Sequence, residues 1–235
     1  MTFTDRPESG ILISRLYILY KFYRLTLLFF KTLTKRLFDI FASGFGLILL
    51  LPVFVAISIL IKLQMPGPVL FRQIRTGRYG KPFIINKFRT MSPDHNGSSI
   101  SVQGQSRITP LGAVLRKYKL DELPELWNVI IGEMSLVGPR PDVPEYAEKL
   151  TGEEMRILEL RPGITGPASL KYAREEELLA AVDDPKEYND KVIWPDKVRI
   201  NLEYYHNWSF TGDMIFIFKT LFRYIHSKIE SIGHK

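Results

Sequence analysis

The apolar positions along the chain change period three times. Residues 11–34 (ILISRLYILYKFYRLTLLFFKTLT) place Lys21, Arg24, Lys31 and Lys35 within about 80° of one another at 100° per residue, with Leu, Ile and Phe opposite. That pattern predicts a basic amphipathic helix lying in a membrane interface. The competing use is a core helix of a soluble domain. From Ile40 to Ile61 the chain runs for 22 residues without a charge. As a helix, this length reaches across a hydrocarbon core of ~30 Å. Pro52 lies near its middle, where a proline removes one backbone hydrogen bond and frees the carbonyl of Ile48. Lipid offers that carbonyl no partner, and Ser43 and Ser58 are the nearby hydroxyls. The flanks on both sides are basic, with Lys31, Lys35 and Arg36 before the run and Lys62, Arg72, Arg75 and Arg78 after it. Both ends therefore favour the cytoplasmic side. Two forms stay open: one kinked spanning helix, or a re-entrant helix broken at Pro52.

Beyond residue 65 the pattern shortens. Residues 69–75 (VLFRQIR) and 82–89 (PFIINKFR) read as strands, and TGRYGK between them reads as a turn, predicting a hairpin. The Ser- and Gly-rich stretch 92–106 reads as a loop. Pro110 opens a short helix through Lys119, and a second helix is expected from Asp121 to about Ile131. Gly138–Pro141 (GPRP) and Arg161–Gly166 (RPGITG) are too stiff for helix or central strand and read as fixed turns. Residues 173–190 read as acidic, helical and exposed. Residues 196–229 read as helical, with Trp208, Phe210, Phe216, Phe218 and Phe222 as anchors for a second interfacial surface.

Charge sharpens this picture. The net charge is +7, but residues 1–91 carry 14 basic and 3 acidic side chains, for +11, and the remainder carries −4. A basic N-terminal third calls for a polyanionic partner. The uncharged run and the lack of a recognisable binding module make that partner a membrane surface, with no nucleic acid involved. The chain has no Cys, which excludes disulfides, thiolate metal sites and Cys nucleophiles, and its four His show no metal-ligand spacing.

The candidate chemistry lies in two groups. Asp121 and Glu122 are adjacent carboxylates after a basic cluster. The plain structural role for Asp121 is a helix N-cap, with Glu122 favoured by the helix dipole. The functional role is a Mg²⁺-binding pair, or a nucleophile with a metal-binding partner. The second group is cationic: Lys87, Arg89, Arg116, Arg140 and Arg161. An Arg held between Gly and Pro residues is pre-organised for phosphate, and the competing use of each is an ion pair with the acidic half. These parts point to a phosphate and metal site at a membrane surface, with donor and acceptor unspecified.

The segments KRLFD, PGPVLFRQIRTGRYGKPFIINKFRTM, LRKYKLDELPELWNVIIGEMSLVGPRP and RPGITG, in this order, closely resemble the bacterial sugar transferases, the monotopic polyprenol-phosphate phosphoglycosyl transferases. The resemblance runs from about Lys35 to Gly166 and more loosely to the C-terminus. It implies an α+β, mainly helical fold with a re-entrant membrane helix, interfacial amphipathic helices and a small β-hairpin. Together with the amphipathic pattern before Lys35, whose role it does not carry over, it divides the chain into an interfacial helix (1–34), a re-entrant helix (35–65), a catalytic core (66–172) and a C-terminal acidic and interfacial part (173–235). It implies transfer of sugar-1-phosphate from a UDP-sugar to undecaprenyl phosphate, with release of UMP, at the cytoplasmic face of the bacterial inner membrane.

By the same resemblance Asp121 is the nucleophile that forms a covalent phosphosugar intermediate, and Glu122 helps hold Mg²⁺ with it. Lys87, Arg116 and Arg140 match the family's cationic positions near the phosphates. Pro52 matches the family's helix break, although many members carry Ser before that Pro and this chain has Leu51. Nearby Mg²⁺ and Arg are expected to favour the ionised form of Asp121. A homodimer is admitted as a partner state. The competing reading is a non-catalytic, membrane-anchored scaffold for glycan-assembly partners, in which Asp121 and Glu122 are replaceable.

Overall fold

The computed structural model describes residues 8–92 and 108–232. The 92–106 loop therefore lies outside the described residues except for Ser92, as do the side chains of Arg24 and Lys31 on the basic face. The chain divides into two compact units, Met1–Phe38 and Asp39–Lys235.

From Glu8 onward the first unit is helical. Helix α1 spans Glu8–Leu49. Thr26 and Thr34 donate their hydroxyls to the carbonyls of Phe22 and Phe30, one turn back, both at 2.9 Å. This back-bonding removes free hydroxyls from the helix surface.

In the second unit α1 ends at Leu49, and helix α2 runs Leu51–Gln64. Pro52 lies in the first turn of α2, where the missing N–H has no partner to lose. The segments Thr32–Leu49 and Leu51–Gln64 bend by 60° at the break. Among the described residues no single helix is long and apolar enough to cross a membrane, whereas this bent pair is by length and composition. Ser58 donates to the carbonyl of Phe54 at 2.7 Å, while Ser43 Oγ is buried and has no hydrogen-bond partner among the described residues. Neither hydroxyl is bonded to Ile48. The outer surfaces of both helices are apolar, with Phe41, Phe45, Ile48, Leu51 and Leu63 exposed.

The inner face of α2 is the start of the core. Ile57, Ile61 and Met65 pack with Phe88 and Leu115, and Leu120 and Leu123 lie against them. Each such buried side chain contributes roughly 1.5–3 kcal/mol. The expected hairpin is present: β1 (Leu70–Thr76) pairs antiparallel with β2 (Pro82–Phe88), and Ile74 faces Ile84. Tyr79 and Gly80 turn the chain with positive φ. Helix α3 (Pro110–Lys117) is capped by Thr109, whose Oγ1 accepts from the Gly112 N–H at 3.0 Å.

The expected helix from Asp121 starts later. Leu120–Glu122 form a 3₁₀ turn, and helix α4 spans Glu125–Ile131. Strand β3 (Ser135–Val137) follows, then the short helix α5 (Pro144–Ala147) and a 3₁₀ segment, Gly152–Glu159. RPGITG is not a turn throughout: Gly163–Thr165 form β4, parallel to β3. Pro162 needs no ladder N–H there, because its carbonyl accepts from Ser135 at 2.9 Å. The approach of β3 and β4 requires glycine. A Cβ on Gly163 would lie 2.1 Å from the Gly138 nitrogen, and one on Gly138 would lie 2.3 Å from the Arg161 carbonyl oxygen.

Helices α6 (Pro167–Lys171), α7 (Glu175–Ala180) and α8 (Pro185–Tyr188) lead through a π-turn into α9 (Trp194–His206). Helix α10 (Phe210–Ile232) ends the described chain. The five aromatics expected at a second interface divide. Phe218 and Phe222 are exposed, whereas Trp208, Phe210 and Phe216 are partly buried. Trp208 donates to Asp213, and Phe216 packs edge-on to Tyr204.

Two buried polar contacts fix elements around the site. Asp39 near the end of α1 accepts from the Leu136 N–H of β3 at 3.2 Å. Asn128 of α4, with no exposed surface, donates to the Ile84 carbonyl and to Glu133, and accepts from the backbone and side chain of Asn86. It thereby locks α4 to β2.

Candidate active site

The carboxylate pair lies at a forced bend. Lys119 adopts a left-handed conformation (φ 52°), uncommon for a residue with a side chain. It ends the run of α3 and starts the 3₁₀ turn that carries Asp121 and Glu122. Neither residue is an N-cap; both are buried. Packing of Leu120 and Leu123 against α2 holds the turn in place.

Glu122 Oε1 accepts two charged hydrogen bonds, from Arg140 at 2.6 Å and from Lys87 at 2.9 Å. Lys87 also lies 3.0 Å from Glu125 Oε1. Asp121 is different: its Oδ1 is shielded from solvent and has no hydrogen-bond partner among the described residues. Lys87, Asp121, Glu122 and Arg140 line a cleft of about 2430 Å³. Leu50, at the helix break, and Phe71, Val114 and Tyr118 add apolar wall to the same cleft.

Charge separates the carboxylates. Burial alone raises Glu122, but Arg140 and then Lys87 outweigh it and hold the carboxyl well below its ordinary range. Burial and the adjacent Glu122 push Asp121 up, against Lys87, Lys119 and Arg116. The cations near Asp121 act in the direction expected from the sequence, yet desolvation and Glu122 prevail. Glu125 is pushed up to about 7, chiefly by burial. Burial lowers Lys87, but Glu122 and Glu125 more than restore it and leave it raised.

Of the predicted cations, Lys87, Arg89, Arg116 and Arg140 line the cleft, and Arg161 does not. Arg161 donates through Nε to the Gly132 carbonyl at the end of α4. Arg89 is buried and donates to the Met65 carbonyl at 2.7 Å, tying β2 to the end of α2. Arg116 is paired with Glu176 of α7. Sequence reasoning missed Glu125 as a member of the cluster and treated Arg75 only as a flanking charge. Arg75 donates to the Pro141 carbonyl, and burial with Arg140 lowers its pKa. The helical spacing of Glu122 and Glu125, three apart beside a Lys on a strand, was the available signal.

The match to a family model decides the class: residues 30–227 fit the bacterial sugar transferases. The chain belongs to the bacterial sugar transferase family. This agrees with the motif resemblance. Among its relatives, EpsL of Bacillus subtilis, described as an uncharacterized sugar transferase, is 33% identical over 201 residues, covering 85% of this chain and 92% of EpsL. The UDP-glucose:undecaprenyl-phosphate glucose-1-phosphate transferase of Escherichia coli is 38% identical over 197 residues, covering 81% of this chain and 40% of that protein. The exopolysaccharide production protein PSS of Rhizobium leguminosarum is 37% identical over 196 residues, covering 80% of this chain and 92% of that protein. This sugar transferase chain thus spans most of some relatives and about two fifths of others.

Among the described residues no three His, Cys, Asp or Glu side chains form a metal cage. Mg²⁺ held by one or two carboxylates, with substrate phosphates and water completing its shell, needs no such cage. The free Asp121 Oδ1 beside Glu122 fits a cation of that kind.

Proposed function

We propose that the chain transfers sugar-1-phosphate from a UDP-sugar to undecaprenyl phosphate. The observation that carries this reading is Asp121 Oδ1, unpartnered in a cleft walled by Lys87, Arg116 and Arg140 and by Leu50 of the helix break. Named relatives support the donor and acceptor classes: one acts on UDP-glucose, and one from Aeromonas hydrophila acts on UDP-N-acetylgalactosamine, each with undecaprenyl phosphate.

In this reading an Asp121 carboxylate oxygen attacks the β-phosphorus of the donor. The bond from that phosphorus to the bridging oxygen breaks, and UMP leaves with the oxygen. The acceptor phosphate then attacks the same phosphorus, breaks its bond to Asp121 and restores the carboxylate. Arg140 and Lys87 bind phosphate oxygens and offset their charge. The raised pKa of Asp121 leaves a more basic, more nucleophilic carboxylate once ionised. Asp121 and Glu122 would hold Mg²⁺, which neutralises diphosphate charge when bound.

The bent pair at Leu50 serves as a re-entrant membrane helix whose ends both face the cytoplasm. Exposed Phe45 and Ile48, the basic flanks and the self-bonded Thr26, Thr34 and Ser58 support this. Single cysteines at Thr34 and Gln64 should label from the same side in sealed vesicles; labelling from opposite sides would contradict re-entry. The activity is tested with a panel of UDP-sugars and undecaprenyl phosphate, scored by UMP release. Release with at least one donor is the predicted result, and none with any donor would reject the reading.

A further inference from the structure

A second part of the cleft has a different chemistry. Helix α6 packs on α9, and Ser169, Trp194 and Asn201 from these two helices line the cleft. Ser169 Oγ, Trp194 Nε1 and Asn201 Oδ1 are each shielded from solvent and have no hydrogen-bond partner among the described residues. Asn201 itself is only 7% exposed. Buried polar atoms without partners are rare, so three on one wall need an explanation. Trp194 and Asn201 are seven residues apart on α9 and share a face with Lys197 between them. Lys197 acts on Asp142, two residues after Arg140, and both line the same cleft. The wall therefore adjoins the phosphate-binding cations.

The atom types define what fits. An indole N–H only donates, an amide oxygen only accepts, and a hydroxyl does either. A ligand that satisfies all three must offer both an acceptor and a donor. An ionised phosphate has acceptors alone and would leave Asn201 Oδ1 unpaired. The ring of Tyr146 lies 5.8 Å from that of Trp194, tilted by 43°, adding aromatic surface of the kind that covers a sugar or base face.

We propose that the α6–α9 wall is the subsite for the uncharged part of a nucleotide-sugar, a sugar's hydroxyl or acetamido groups or the imide edge of uracil. The inference rests on the nucleotide-sugar donor proposed above. The test uses the full chain in detergent micelles with UMP, UDP-glucose and UDP-N-acetylglucosamine as probes. Binding is read by thermal-shift titration, and turnover separately by UMP release. Trp194→Phe keeps the ring and removes the N–H; Ser169→Ala is a smaller change that preserves packing. Trp194→Phe should weaken binding of both UDP-sugars about tenfold, and Ser169→Ala about threefold. Unchanged UMP affinity then assigns the wall to the sugar, and equally weakened UMP assigns it to uracil. Unchanged affinity for all three probes in both variants, or no binding of any probe to the wild type, overturns the inference. If the wild type binds UDP-sugars, the variants bind them less well and no UMP is released, the transfer reading fails while the subsite stands.

Discussion

Arg140 Nη2 lies 2.6 Å from Glu122 Oε1, and this pair joins the rigid GPRP turn to the turn that carries Asp121. Arg140→Ala would leave Glu122 buried with Lys87 as its remaining close cation. We expect kcat/KM to fall by about 10²–10³, the usual scale for losing one preorganised charge-stabilising donor. Arg140→Lys should recover little, because an ammonium does not reproduce the planar fork. Near-normal kcat/KM in Arg140→Ala would remove Arg140 from the phosphate site.

Glu125 links stability to pH. Its folded pKa of about 7 exceeds the ordinary carboxyl value of 4.5, so the folded state binds the extra proton between these values. Stability from this group is therefore lost as pH rises through about 4.5 to 7. Glu125→Gln removes that loss. Relative to wild type, its melting temperature should rise between pH 5 and pH 8, by an amount worth at most about 3 kcal/mol. A constant difference across this range would place the Glu125 pKa near its ordinary value.

Asn128 is the structural pin between α4 and β2. Asn128→Ala leaves the Asn86 N–H without its Asn128 acceptor and the Ile84 carbonyl with only a long 3.5 Å bond from the Asn86 side chain. The expected cost is about 2–4 kcal/mol, read as a lower denaturant midpoint. A loss under about 1 kcal/mol would mean that water replaces these bonds.

Glu176 holds Arg116, one of the cations proposed for the phosphate site. It pairs with Arg116 from the acidic helix α7. Glu176→Gln should free Arg116 and lower the KM for UDP-sugar about fivefold, with kcat little changed. A raised KM would show that Glu176 instead holds Arg116 in position.

The hairpin, the start of α3 and the family were legible in the sequence because each rests on local chemistry: alternation in 69–89, Pro110 as a helix opener, and an ordered set of motifs. The start of α4 was misplaced because the left-handed Lys119 and the packing of Leu120 and Leu123 on α2 are tertiary effects that override Asp as an N-cap. Gly163–Thr165 became a strand because Gly138 and Gly163 let two backbones approach, a contact between residues distant in sequence. The cationic group was partly legible. Residue type pointed to all five cations, but only packing shows Arg89 bonded to Met65 and Arg161 bonded to Gly132. The raised Asp121 pKa was not legible, because burial depends on the whole fold.

The central claim is that Asp121 carries the sugar-phosphate. Intact-protein mass analysis after adding UDP-sugar without acceptor tests it most directly. The account predicts a mass increase of one sugar-phosphate on the wild type, discharged by undecaprenyl phosphate, and no adduct or turnover in Asp121→Asn. Full turnover by Asp121→Asn, or turnover by the wild type with no adduct and ternary-complex kinetics, would contradict it.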